Sequence, residues 1–184
     1  MKRIICFTVG CLLFSAIYLQ GCMNSGSTIE QREKESSGSI PANFDSLEHY
    51  LVDIDLFKIG ELEDKKIKSE KEYLLLSALE DDKVDLSLLS NLKNIGYVRG
   101  SLDQSLYSAV DSLFFLKTRT DHVDTSCIYE FRDILVFYKN KQCIGIAKIC
   151  FDCKAIISWS EKLNFAGFGD WKDYDKLHRL LKKK

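Results

Sequence analysis

The chain has 184 residues, 46 % of them hydrophobic, and its 27 acidic residues nearly balance 26 lysines and arginines. A formal charge of -1 without a basic stripe speaks against a nucleic-acid binder, while the length suffices for one domain that folds without metal or disulfide staples. After Leu19 no run is long and apolar enough to span a bilayer core, which takes about 20 such residues.

Met1-Lys2-Arg3 is a short positive segment, and Ile4 to Leu19 is uncharged and mostly apolar. Positive charge, then about 7–15 apolar residues, then small residues at a cut is the layout of a secretory signal. The run ends in Leu19-Gln20-Gly21-Cys22. This tetrapeptide resembles the lipobox of bacterial lipoproteins, in which a branched apolar residue, a small residue and Gly or Ala precede the lipidated cysteine; Gln20 stands where a small residue is usual. The resemblance implies cleavage between Gly21 and Cys22 and acylation of the Cys22 thiol, sulfur being the nucleophile that accepts the lipid. With Met23 rather than Asp following, it further implies the outer membrane of the cell envelope. Buried acyl methylenes, at about 0.8 kcal/mol each, would hold the chain to the membrane through this lipid.

The expected organisation is a signal peptide at 1–21, lipidated Cys22 with a flexible tether over 22–42, and a single α+β domain at 43–184. Cleavage removes Lys2 and Arg3 and no acidic residue, leaving 27 acids against 24 bases and a charge near -3. Met23 to Ile40 is rich in Ser, Gly, Glu, Gln and Lys, with only Ile29 and Ile40 as large aliphatics. Such a segment buries too little apolar surface to offset its ordering entropy. Pro41 closes it.

Asn43 is placed to cap a short helix with Phe44, Leu47 and Leu51 on one face. The alternation Asp53-Ile54-Asp55-Leu56 reads as a strand reaching about Ile59, followed by a charged connection over Glu61–Lys71. Ser69 with Glu72 makes a capping box, which predicts a helix over Tyr73–Leu79. Asp85 begins another helix with Leu88, Leu89 and Leu92 inward, and Gly96 is positioned to end it. Ser101 and Gln104 form a further capping box ahead of Leu102, Leu106, Ala109, Val110, Leu113 and Leu116, an apolar stripe that ends near Lys117-Thr118-Arg119. Phe131–Tyr138 and Gln142–Phe151 are apolar on both faces and predict a hairpin covered on both sides, turning at Lys139-Asn140-Lys141. Ala155–Trp159 continues the sheet, Leu163–Gly169 is a loop, and Asp170 caps a last helix with Trp171, Tyr174, Leu177 and Leu181 inward. Lys182 to Lys184 suit the negative end of its dipole. The fold class is α+β: an antiparallel sheet built around the 131–151 hairpin and packed by amphipathic helices.

Of seven cysteines, Cys6 and Cys11 leave with the signal and Cys22 takes the lipid. Cys127, Cys143, Cys150 and Cys153 remain. With the hairpin turning at 139–141, Cys127 falls close to the Cys150-Phe151-Asp152-Cys153 motif in either register. Three uses follow. A disulfide from Cys127 to Cys150 or Cys153 suits an oxidising compartment; a tetrahedral metal site would draw two ligands from Cys-x-x-Cys but lacks a second such pair; thiol exchange would want the pair at a helix N-terminus, and here it stands between strands. His122, five residues before Cys127, is a candidate partner for a Cys nucleophile, although a histidine beside Asp121 is more often only solvated. His49 and His178 fall on predicted helices with no identifiable partner. Asp53 and Asp55 alternate on a polar strand face but lack the glycine-bearing loop of a calcium site. There is no phosphate-cradling glycine loop and no serine-hydrolase elbow. No cofactor is expected, and the sequence does not identify a protein partner.

Cys127, the hairpin ending in Phe137-Tyr138, Ile149-Cys150-Phe151-x-Cys153, Phe165-x-Gly167-Phe168 and the C-terminal amphipathic helix together resemble a group of small bacterial proteins, many of them lipoproteins, over residues 127–182. The resemblance leaves Cys143 outside the shared pattern as a free buried thiol. Ile128-Tyr129-Glu130 stands where that group often carries a histidine after the first cysteine. The group implies no activity. The expected function is a membrane-anchored envelope module, more a binding or structural protein than an enzyme, with metal binding or thiol redox at Cys127, Cys150 and Cys153 as the alternative.

Overall fold

The computed structural model describes residues 43–117 and 127–182. The signal at 1–21, Cys22, the tether to residue 42 and His122 lie outside them. The central hairpin forms as its two apolar faces demand. Strand β3 (Asp133–Lys139) and strand β4 (Gln142–Cys150) pair antiparallel. Their turn is Asn140-Lys141, two residues rather than three, with φ of 50° and 65°. Positive φ at both positions gives the mirror-image turn whose twist matches a hairpin. Phe137 pairs with Gly145 but Tyr138 with Cys143, so Ile144 is an extra bulged residue. Ile144 thereby joins the apolar cluster of Phe137, and Ile146 faces the opposite one.

Three further strands complete the sheet: β1 (Ser46–Leu51), β2 (Val98–Ser101) and β5 (Ala155–Ser160). The order is β2-β1-β3-β4-β5, antiparallel throughout. Helices cover both faces. On one, Ile134, Val136 and Ile146 pack against α1 (Leu56–Asp64), α2 (Glu70–Glu80) and the residues around α3 (Leu88–Asn91). On the other, Leu135, Phe137, Ala147 and Ile149 meet α4 (Tyr107–Phe114) and α5 (Trp171–Leu181), with Phe114 stacked on Phe168 at 4.3 Å. The class is α+β, and among the described residues no helix is long and apolar enough to cross a membrane.

Several local expectations are corrected. The helix expected at Asn43 is strand β1, and the strand expected over Asp53–Ile59 is mostly helix α1. Phe44, Leu47 and Leu51 have helical spacing, yet the β1 backbone finds partners on both sides, His49 opposite Leu135 and Gly100. The Asp55 carboxylate accepts the Lys58 N–H at 2.8 Å, which starts α1 with Ile59 and Leu62 inward. The Asp85 helix shrinks to Leu88–Asn91 because Asp85 bonds the Ser87 N–H (2.8 Å) and hydroxyl (2.6 Å) in a local turn. Gly96 does end this segment, at φ 111°. Ser101 belongs to β2, opposite Glu48, so it caps nothing; Asp103 accepts the Ser105 N–H at 2.7 Å instead and leads through a 3₁₀ turn (Gln104–Leu106) into α4. That helix stops at Phe114, short of Lys117. The Ser69–Glu72 capping box forms as expected, and Asp170 pairs with Asp173 in another at α5. Trp171, expected inward, is 54 % exposed, while Tyr174 and Leu177 are buried.

Candidate functional site

The cysteine cluster gathers where β4 ends. Cys150 is the last residue of β4, and the turn through Phe151, Asp152, Cys153 and Lys154 (φ 53°) leads into β5. Cys153 is bridged to Cys127, their Cα atoms 5.7 Å apart. Cys150 is a buried free thiol whose Sγ accepts the Cys153 N–H at 3.4 Å. Cys143 is also free, seven residues back along β4 and packed on the α1–α2 face, where burial pushes its thiol pKa up. Among the described residues no three His, Cys, Asp or Glu side chains are arranged to hold a metal ion.

The bridge fixes the segment that runs from Cys127 into β3. Phe131 is fully buried against Cys150 and Cys153. Its N–H donates to Leu79 O at 2.8 Å, and its carbonyl accepts the Tyr97 hydroxyl at 2.8 Å. Lys148, on the same face of β4 as Cys150, sits 4.9 Å over the Phe131 ring and donates to Asp81 O at 2.8 Å. Burial pulls its pKa down to about 8. Glu130 therefore has a fixed backbone on one side, and Phe151 and Asp152 have one on the other.

Between these two walls lies a cleft of about 220 Å³. Its apolar surface comes from Leu51, Val52, Ile149 and Phe151, and its polar surface from Asp53, Glu130, Arg132, Asp133, Asp152 and His178. Arg132 pairs with Asp152 and also donates to Ile54 O at 3.4 Å. Asp133 contacts His49 Nε2 at 2.7 Å. The His178 ring stacks on Phe151 at 4.7 Å, and burial, then Lys182, lowers its pKa. Glu130 is 7 % exposed, and burial raises its pKa. A second depression, about 320 Å³, shares Leu51, Asp133 and His178 and continues toward β2 and the end of α5.

The structure thus divides the sequence candidates. Cys127, Cys150 and Cys153 come together; Cys143 does not. His49 lies on a strand rather than a helix and reaches Asp133, and His178, on α5, lines the same cleft. Asp53 and Asp55 part company: Asp53 lines the cleft and Asp55 caps α1. Arg132 and Asp133 went unnoticed in the sequence, and Glu130 drew notice only as part of the segment that stands where the resembled group carries a histidine. The signal available was their clustering at Glu130-Phe131-Arg132-Asp133, a few residues after Cys127 and opposite the Phe151-Asp152 pair held inside Cys-x-x-Cys. The chain matches no protein-family model, no curated protein and no solved structure.

Proposed function

We propose that this protein is a lipid-anchored bacterial envelope lipoprotein, held to the outer membrane through acylated Cys22, whose domain is a non-catalytic binding module. The observation that carries the proposal is the Cys127–Cys153 bridge. Disulfides persist in exported proteins and are rare in reducing cytosol, so the bridge fits a chain carrying a secretory signal. It also has a use there, since it staples together the two walls of the cleft, the Glu130 segment and the Phe151-Asp152 turn. Lipid binding at the N-terminus and ligand binding at the cleft then occupy separate parts of the chain.

A second reading, thiol exchange, is favoured by the position of Cys150 beside Cys153. The Cys150 thiolate would attack Cys153 Sγ, forming a Cys150–Cys153 bond and expelling Cys127 as thiolate, which takes up the proton that Cys150 released; nothing is oxidised or reduced overall. One experiment covers both readings. Full-length protein is labelled with palmitate in its native cell, beside Cys22→Ala, and its cysteine peptides are mapped without reduction. The proposal expects label on the wild type, loss of label and of membrane fractionation in Cys22→Ala, and a single Cys127–Cys153 bridge. A mapped Cys150–Cys153 bond shifts support to exchange. Unlabelled, fully reduced protein in the cytoplasm with residues 1–21 still attached overturns the proposal.

A further inference from the structure

The charges lining the cleft do not balance. Asp152 has Arg132 and Asp133 has His49, but Asp53 and Glu130 have no hydrogen-bond or ion-pair partner among the described residues. Asp53 is at the exposed rim, whereas most of Glu130 is buried and its carboxylate lines the cleft wall. Arg132 is the strongest charge acting on it, opposed by Asp152 and Glu63, with Glu80 at the end of α2 also near. A carboxylate that faces a partly apolar cleft and has no ion pair of its own favours a ligand that brings a cation to it.

The other walls narrow the choice of partner. Leu51, Val52 and the Phe151 ring offer apolar surface beside the carboxylates, which a bare metal ion would not use. No three ligand groups are arranged for a metal among the described residues. A cation with a short hydrocarbon stem uses both kinds of surface, since an aromatic face attracts an ammonium and the stem buries against the aliphatic side chains. The volume of about 220 Å³ lies below the roughly 300–1,000 Å³ of drug-sized sites, which fits a fragment-sized ligand. We propose that the cleft binds a small alkylammonium compound, with Glu130 as the counter-ion of the ammonium group at the cleft wall and Asp53 as a second carboxylate at the rim. This rests on the binding-module proposal and gives it a ligand class.

The test titrates n-butylamine and 1,4-diaminobutane into detergent-solubilised full-length protein by calorimetry or NMR, with butyrate and Mg²⁺ as controls and a lysine-containing peptide to separate a free amine from a protein-borne one. Saturable binding of the free amines and none of butyrate is expected. Glu130→Gln should weaken it by at least about tenfold, the loss of one charge-assisted hydrogen bond, and Asp53→Asn by less than about fivefold, as for an exposed charge. Amine affinity should fall as pH is lowered and Glu130, whose pKa burial raises, takes up a proton, and this dependence should vanish in Glu130→Gln. If that variant does not fold, the wild-type pH profile and Asp53→Asn still decide. Equal amine affinity in wild type and Glu130→Gln, butyrate or Mg²⁺ binding in place of amine, capture of the peptide alone, or no amine binding by folded and bridged protein each overturns the inference. That last result leaves the anchored module standing, because the bridge and lipid are read separately.

Discussion

Gly167 sits in the 3₁₀ turn Phe165–Gly167 with two carbonyl groups pressed against it. A Cβ there would lie 2.5 Å from Lys117 O and 2.7 Å from Phe114 O. Both neighbours are backbone, so neither can rotate aside, and relief requires α4 and this turn to separate. The stacked Phe114–Phe168 pair and the buried Tyr174 would separate with them. Gly167→Ala is therefore expected to lose about 1–3 kcal/mol, the usual cost of overpacking a tight core. Urea unfolding measures it, and a midpoint equal to that of wild type would show that the turn yields freely. Gly145 is a gentler case. Its nearest neighbours are side-chain atoms of Leu163 and Phe165, at 3.0 Å, which can give way.

At the scale of elements, the hairpin turn carries a removable strain. Lys141 holds a left-handed conformation that side chains with a Cβ disfavour, whereas Asn140 is among the residues that tolerate it. Lys141→Gly should raise stability by about 0.5–1 kcal/mol in thermal unfolding; no gain would mean that the Lys141 side chain contributes as much as its backbone costs. Elements whose signals are local were legible in the sequence. The Ser69–Glu72 box, the Asp170 cap and the doubly apolar β3–β4 pair each specify their structure within a few residues. β1 was not legible, because Phe44, Leu47 and Leu51 carry a helical period and the strand exists only through ladders to β2 and β3, far along the chain. β2 escaped for the same reason, since its four residues are all exposed and show no alternation. The candidate site was legible only in part. Cys127 and Cys-x-x-Cys pointed to one corner, but His49, Asp133 and His178 meet from β1, β3 and α5, and no local spacing encodes that meeting.

For the whole molecule, stability should depend on pH through the half-buried Glu80 and the buried Lys148, acting in opposite senses. Burial, and then the hydrogen bond with Glu63, pushes the Glu80 carboxyl up to about 7; in the unfolded chain it titrates near 4.3. Between those values the unfolded chain gives up its proton and the folded chain keeps it. The stabilisation is therefore complete below about 4.3 and is lost as pH rises through about 7. Lys148, pulled down to about 8 by burial, does the reverse, and stability recovers as pH rises from there toward 10.4. Glu80→Gln should leave the melting temperature at pH 5 nearly unchanged and raise it at pH 8, by an amount equivalent to about 1 kcal/mol after allowing for its partial exposure. A scan of melting temperature against pH checks this, and parallel curves for variant and wild type would remove Glu80 as the cause.

The position of β1 also sets an order of events during folding. Of the described strands it is the first to leave the ribosome, yet it belongs between β2 and β3, with Glu48 opposite both Ser101 and Val136. By contrast β3, β4 and β5 follow one another through short turns. Closing the long loops costs more entropy than closing the short ones, so the leading strand must wait for the trailing meander and slot in beside it. Until residue 139 has been synthesised, β1 lacks the β3 ladder on one side, and Phe44 lacks the Phe137 ring although Tyr107 and Phe115 are already made, so the part-built chain carries an open strand edge prone to clumping.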